Sequence, residues 1–266
     1  MWIGLKGLVL AGGRSSRFGS DKALAYFEGR RFIEIAVSQV SSITSEVCIS
    51  LSKKSSRQLI DAALTYTDCI IYDKEHPCGG PVKGILSSLE ALKDDIVYVT
   101  VDHPYLKPDT LVEFYRKARV LSPSAATIIS DKDSTAQSIG YVSKRAVDHI
   151  RRVCRVKRGK TRLIDIYRLP KSLFVGWSLL TSDPSEFTNV NEPRIQPQIS
   201  RTGVDEIFYL NHNYFLEFVD RFAEGNYMEA LALLLLEEQL YMKLGPKFLL
   251  KYVYKDIDYM LSKPTL

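Results

Sequence analysis

Gly7-Leu8-Val9-Leu10-Ala11-Gly12-Gly13-Arg14-Ser15-Ser16-Arg17-Phe18-Gly19-Ser20-Asp21-Lys22 runs from a short apolar stretch straight into a glycine-rich, cationic loop. The apolar part reads as a strand. Glycines directly behind it let the backbone pass close to a ligand and turn its amides inward, which is phosphate chemistry. Arg14, Arg17 and Lys22 set three cations within nine positions, and a fully solvated loop gains little from concentrating like charge in this way. Neither GxxxxGKS/T nor GxGxxG is present, because Gly19 is followed by Ser-Asp-Lys, which argues against a P-loop ATPase and a classical dinucleotide fold. Taken alone, the loop fits a phosphate role and an ordinary basic turn equally well.

Working outward, further apolar runs lie at Val47–Leu51, Cys69–Tyr72, Ile96–Val101, Ala125–Ile129 and Ile139–Val142. Helical periodicity falls between several of them, at Phe32–Val40, Gly84–Leu92, Thr110–Ala118, Lys144–Val153 and Thr161–Tyr167. This alternation predicts an α/β fold, a Rossmann-like, doubly wound, mainly parallel sheet covered on both faces. In such sheets ligands bind at the carboxyl ends of the strands, near the switch in strand order. From Asp205 to Lys263 the pattern changes. Phe208, Phe215, Phe218 and Phe222, then Met228, Leu231, Leu235 and Leu240, then Leu249, Tyr252 and Ile257 recur at helix-like intervals, with breakers at Gly225 and Gly245-Pro246. Two or three helices of about 15 to 20 residues are expected, their apolar faces covering the sheet or forming a dimer contact, with a separate binding module as the alternative. Arg194–Gly203 reads as a connector, so the chain divides into residues 1–203 and a helical C-terminal extension, 204–266.

The composition of the 266 residues, 45% hydrophobic and 25% charged, excludes disorder, collagen and a disulfide scaffold. The net charge of +5 is uneven, +9 before Val204 and −4 from there on. Four cysteines, at 48, 69, 78 and 154, show no metal-ligand spacing and the first residues do not resemble a signal peptide, so a reducing cytoplasm is expected. No apolar run approaches the roughly 20 residues of a membrane span. Arg151-Arg152 and Arg155 to Arg162 have the charge to follow a nucleic-acid backbone. Val153, Cys154 and Val156 interrupt them, however, and a basic mouth for a small anionic substrate accounts for the same charge.

Three more signals follow apolar runs. Asp102, at the end of Val97-Tyr98-Val99-Thr100-Val101, is a lone carboxylate of the kind that holds a hard divalent cation whose other positions are filled by phosphate oxygens and water; an Asp here also simply caps a turn. His103 has no second histidine at ligand spacing and suits a local hydrogen bond. Asp73, with Gly80-Pro81-Val82-Lys83-Gly84-Ile85 behind it, makes a sharp strand-to-helix entry with room for a flat group, or a mere turn. Asn189-Val190-Asn191-Glu192-Pro193 offers two amides suited to a phosphate-bearing substrate or a metal-bound water.

In this order, the four motifs resemble the MobA-like molybdenum cofactor guanylyltransferases over about residues 6 to 197. Leu10 to Lys22 matches that family's Leu-Ala-Gly-Gly-x-Ser-x-Arg-(Met or Phe)-Gly-x-Asp-Lys, Gly80 to Ile85 its Gly-Pro-Leu-x-Gly-Ile, Asp102 to Pro104 its Asp-x-Pro, and Asn189 to Pro193 its Asn-x-Asn-x-Pro. The resemblance implies transfer of GMP from GTP to the phosphate of molybdopterin, with pyrophosphate leaving. It implies backbone contacts to the nucleotide from Leu10, Ala11, Gly12 and Gly13, and phosphate binding by Lys22 with Arg17 nearby. Asp73 and Gly80 would lie by guanine and ribose, Mg²⁺ or Mn²⁺ on Asp102, and the pterin phosphate at Asn189 and Asn191. Phe18 replaces the commoner Met, and Ser50-Leu51-Ser52-Lys53 lacks the Asn expected after the second strand. The rival readings are a CTP-using molybdopterin enzyme, a relative acting on a sugar phosphate, phospholactate or cobinamide phosphate, and a non-catalytic nucleotide-binding protein working through its tail. The tail helices could also serve a homo-oligomer or a client enzyme.

Overall fold

The computed structural model describes residues 4–12, 21–131, 134–190 and 203–262; of the residues singled out above, Gly13, Arg14, Arg17, Phe18, Asn191, Glu192, Pro193 and the connector up to residue 202 lie outside these. The first half of the chain forms β1 (Leu5–Leu10), β2 (Tyr26–Phe27), β3 (Arg30–Arg31), α1 (Phe32–Ser41), β4 (Val47–Leu51), α2 (Arg57–Leu64), β5 (Ile70–Tyr72), α3 (Gly80–Leu92), β6 (Asp95–Thr100) and α4 (Pro108–Leu121). Then come β7 (Ala125–Asp131), β8 (Ser134–Val142), α5 (Val147–Lys157), β9 (Ser172–Gly176), β10 (Ile207–Leu210), α6 (Tyr214–Ala223), α7 (Tyr227–Leu244) and α8 (Leu250–Leu261).

Eight strands make one sheet in the order β10-β9-β7-β8-β6-β1-β4-β5. The pairs β1–β4, β4–β5, β1–β6 and β7–β9 are parallel, whereas β8 runs antiparallel to β6 and β7, and β10 to β9. From β1 the chain first builds outward through β4 and β5, then returns to add β6 on the other side of β1. The reversal opens a crevice beyond the carboxyl ends of β1 and β6. Both faces of β1 are covered. A Cβ on Gly7 would stand 3.1 Å from Val40 of α1, whereas Leu10, three residues on and hence on the opposite face, packs near Gly84 of α3. That double cover explains why β4 and the middle of β6 read as continuous apolar runs and are buried throughout.

Several boundaries differ from expectation. α3 begins at Gly80, one turn before Gly84, because Pro81 falls in the first turn, where no backbone N–H is required. The Lys144–Val153 stretch divides into a 3-10 turn, Lys144–Ala146, and α5, while Thr161–Tyr167 becomes a 3-10 segment, Leu163–Arg168. Phe208, counted with the tail helices, lies instead in β10, paired with Phe174 of β9. The tail does form three helices, α7 ending at Gly245, whose φ of 99° is one that side-chain-bearing residues rarely adopt. Cys48 of β4 and Cys69, the residue just before β5, form a disulfide, a pairing that the cysteine spacing did not announce. Among the described residues no helix is long and apolar enough to cross a membrane.

The tail is joined to the sheet by buried charge. Arg168 is fully buried, and its guanidinium meets both oxygens of Glu237 on α7 (2.9 and 2.6 Å) and one of Asp256 on α8 (2.5 Å). Lys157 and Arg162 also reach Asp256 at 2.9 and 2.8 Å, Lys157 reaches Asp165 at 3.0 Å, and the Tyr241 hydroxyl donates to Glu237 at 2.7 Å. Burial alone would raise the Asp256 pKa, yet Arg168, Lys157 and Arg162 hold it below the usual carboxylate range. Removing one partner of such a cluster leaves an uncompensated charge in the interior. Glu237→Ala is expected to lower stability by roughly 3–5 kcal/mol in urea denaturation, and Arg168→Met with Glu237→Leu to recover most of it. A cost for Glu237→Ala within the few tenths typical of surface changes would contradict the buried cluster.

Candidate functional site

The crevice is bounded first by the end of β1. The Ala11 amide donates to the Ser50 carbonyl of β4 at 3.0 Å, holding Ala11 and Gly12 against the next strand's end. Gly12 is required there for steric reasons. A Cβ would stand 2.4 Å from the Ser52 nitrogen and 2.9 Å from the Leu51 carbonyl carbon, both backbone atoms that cannot swing aside.

Lys22 opens a 3-10 turn, Lys22–Leu24, preceded by Asp21. The Ser56 hydroxyl donates to the Asp21 carboxylate while its oxygen accepts the Leu59 amide as the N-cap of α2, so one serine ties the loop's end to a helix start. Lys22 is only 8% exposed, its ammonium 5.9 Å from the centre of the Phe32 ring. Burial lowers its pKa, and the Asp102 carboxylate partly restores it.

Asp102 follows β6 in the neighbouring crevice wall. Burial works to raise its pKa, but His103, the Thr100 hydroxyl, Lys22 and the Asn189 amide together hold it below the usual carboxylate value. The Asp102 carbonyl accepts the Val190 amide at 2.9 Å, which brings the Thr188–Val190 segment alongside. With its NH₂ turned to Asp102, Asn189 is left with a buried Oδ1 that has no hydrogen-bond partner among the described residues, and the Thr188 hydroxyl is in the same position. An ionised carboxylate beside an open amide oxygen is the donor set a hard divalent cation takes, so these residues fit Mg²⁺ or Mn²⁺.

The β4–β5 side carries the other candidates. Asp73 donates its backbone N–H to the Leu51 carbonyl at 3.0 Å, and its carboxylate accepts the Ser50 hydroxyl. Burial raises the Asp73 pKa against the pull of Lys83, Ser50 and His76. Gly84 allows α3 to sit down on this corner, since a Cβ would be 2.9 Å from Ser50 Oγ and 3.5 Å from Asp73 Oδ1. Gly80, at φ 56°, makes the entry turn. Lys22, Asp102 and Asn189 are thus brought together, with Leu10 to Gly12 leading into the crevice and Asp73 and Gly80 along its β5 side. His103 stays buried, its carbonyl accepting the Gln39 amide at 2.9 Å and its Nε2 4.0 Å from Asp102. Sequence reasoning did not find Ser50, Thr100 or Thr188. The first two sit at strand ends whose neighbours were already flagged, and that position was the available signal.

A family model described as the MobA-like NTP transferase domain matches residues 7–172. The chain belongs to the MobA-like NTP transferase family. It is a nucleotidyltransferase of that family. Among similar curated proteins are a probable molybdenum cofactor guanylyltransferase of Geobacillus sp. (strain WCH70), 29% identical over 71% of this chain and 94% of the relative, and a molybdenum cofactor guanylyltransferase of Aliivibrio fischeri (strain MJ11), 27% identical over 70% and 91%. A solved nucleotidyl transferase from Methanothermobacter superposes with a TM-score of 0.51 at 16% identity, covering 71% of this chain and 93% of that one, which supports the shared fold.

Gly12→Ala tests the steric reading of the MobA-like loop. Forcing a methyl against the β4 backbone is expected to shift the chain at Gly12 and weaken nucleoside triphosphate binding by about tenfold or more, at a stability cost of roughly 1–3 kcal/mol. Calorimetric titration with GTP alongside urea denaturation checks both, and unchanged affinity would contradict it.

Proposed function

We propose that the protein transfers GMP from GTP to the phosphate of molybdopterin and releases pyrophosphate. The observation that carries the reading is the joint burial of Lys22, Asp102 and the open Asn189 oxygen at the switch between β1 and β6. The names of the relatives, molybdenum cofactor guanylyltransferases, support the choice of donor and acceptor. In this reading residues 1–203 are the transferase unit and 204–266 an extension fastened to it, and the reaction runs in the cytoplasm, where nucleoside triphosphates are held.

Two polyanions must meet for this reaction. An oxygen of the acceptor phosphate attacks the α-phosphorus of GTP, and the bond to the leaving pyrophosphate breaks. The acceptor oxygen is already ionised at neutral pH, so the protein supplies neither a covalent nucleophile nor a proton transfer. Its work is alignment and charge compensation. The Lys22 ammonium balances negative charge on the triphosphate, with Arg17 assigned to help, and the Leu10 to Gly13 backbone receives the phosphates. Asp73 and Gly80 flank guanine and ribose. Asp102 and the Asn189 carbonyl oxygen would hold the divalent cation or its water, and Asn191 is kept for the acceptor phosphate. A bound Mg²⁺ or Mn²⁺ supplies Lewis acidity and shields the phosphate oxygens from one another.

Pyrophosphate release is measured with each nucleoside triphosphate in turn, molybdopterin and Mg²⁺. Turnover with GTP alone is expected; preference for CTP would move the reading to the cytidylyl branch, and silence with all four would contradict it. Lys22→Ala and Asp102→Ala should each slow turnover by about 100-fold or more, the loss typical of one strong electrostatic donor. Because burial favours the neutral amine of Lys22, the rate should fall with rising pH earlier than a solvated lysine would cause, while the depressed Asp102 stays ionised into mildly acidic solution. Lys22→Arg should be slower at neutral pH but lose that alkaline decline, since guanidinium keeps its proton. An identical alkaline limb in Lys22→Arg would remove Lys22 from the assignment.

A further inference from the structure

On the α5 side, the extension closes a cavity of about 270 Å³ that the transfer reaction does not use. Its walls are aromatic, formed by Phe218 and Phe222 of α6 and Tyr259 of α8, with Phe222 and Tyr259 ring centres 5.9 Å apart. Its floor is the buried cluster, where Lys157 and Asp256 neutralise each other. Its rim differs. Lys160 and Lys255 are exposed, and among the described residues neither has an acidic side chain within ion-pair distance; Lys160 rests instead over the Tyr259 ring at 4.1 Å.

The turn that carries Lys160 also borders the nucleotide crevice. Gly159 presents its carbonyl oxygen 4.0 Å from where a Cβ on Gly79 would sit, and Gly79 caps α3 just ahead of Gly80. One short segment, Arg158–Lys160, therefore lines the cavity with Lys160 and approaches the start of α3 with Gly159.

Aromatic walls favour a flat ring, and two ammonium groups at the mouth, neither ion-paired among the described residues, favour an anion on that ring's edge. The volume lies just below the about 300–1,000 Å³ of ordinary small-molecule sites, which suits one ring system rather than a dinucleotide. We propose that this cavity binds a planar aromatic anion of nucleobase or pterin size, its ring against the wall formed by Phe218, Phe222 and Tyr259 and its phosphate or carboxylate at Lys160 and Lys255. A free purine nucleotide and a pterin bearing an acidic group share that chemistry. The inference does not rest on the transfer reaction and goes beyond it.

The full chain is titrated calorimetrically, without divalent metal, with GMP and separately with pterin-6-carboxylate. Binding that falls by about tenfold or more in Lys160→Ala/Lys255→Ala and in Tyr259→Leu, but persists in Lys22→Ala, supports the site. A response to GMP alone identifies a nucleotide source, and one to the pterin alone a pterin source. Because Tyr259→Leu could loosen the extension, the double lysine variant, altered only at the exposed rim, is decisive and should keep the wild-type urea midpoint. Absence of binding for both probes, or binding unchanged in the double lysine variant, overturns the proposal, and either result leaves pyrophosphate release from GTP unaffected.

Discussion

A lysine and an aspartate share one buried crevice, and the site is organised around their mutual compensation. Each charge would be costly there alone, because burial disfavours the charged form of both Lys22 and Asp102. Together each favours the other's ionised state. The sheet enforces the meeting, since β1 and β6 are adjacent parallel strands whose following segments leave from the same edge. Gly12, which lets the chain leaving β1 approach the β4 backbone, and the serine that ties Asp21 to α2 serve the same end, holding the ammonium where the polypeptide would otherwise not bury it.

The same principle recurs where the extension meets the sheet. Arg168 stands in the 3-10 segment before β9, where Asp165 lies 3.6 Å away, and its shorter contacts go to Glu237 of α7 and Asp256 of α8, so a charge on the sheet unit is satisfied chiefly by the tail. Burying such a cluster is seldom more stabilising than packing apolar side chains, but it makes wrong dockings of the tail expensive by leaving a guanidinium unpaired. β10 adds a second tie, extending the sheet through pairing with β9. A tail held in this way works as a fixed wall, which is why the cavity behind α5 has a definite shape.

Much of the architecture was legible because it rests on local pattern. Apolar runs read β1, β4 and β6 to within two residues, since burial on both faces leaves no polar alternation to mask them. β10 was misread because Phe208 and Phe215 are seven apart, a spacing that fits a helix face yet here spans a strand and the helix after it. α2 is only eight residues with polar Arg57, Gln58 and Asp61 among them, and β9 has an apolar run of just Leu173-Phe174-Val175, so their patterns fell below what periodicity resolves. Long-range pairing left no local trace. Nothing near Arg168 announces Glu237 or Asp256, each of which reads as a solvated charge, and nothing near Cys48 announces Cys69 until the parallel register is known. In the site, Asp102 was legible from its position at a strand's end, whereas the orientation of Asn189, amide to Asp102 and oxygen buried without a hydrogen-bond partner among the described residues, required coordinates.

Electron paramagnetic resonance of Mn²⁺ titrated into the full chain with GTP, in the absence of any acceptor, addresses the shared crevice most directly, since bound and free ion are counted separately. The account predicts that Mn²⁺ binds together with the nucleotide, that Asp102→Asn weakens the ion by about tenfold or more, and that Lys22→Ala weakens the nucleotide and with it the ion. Mn²⁺ and GTP affinities that both variants leave unchanged would contradict it.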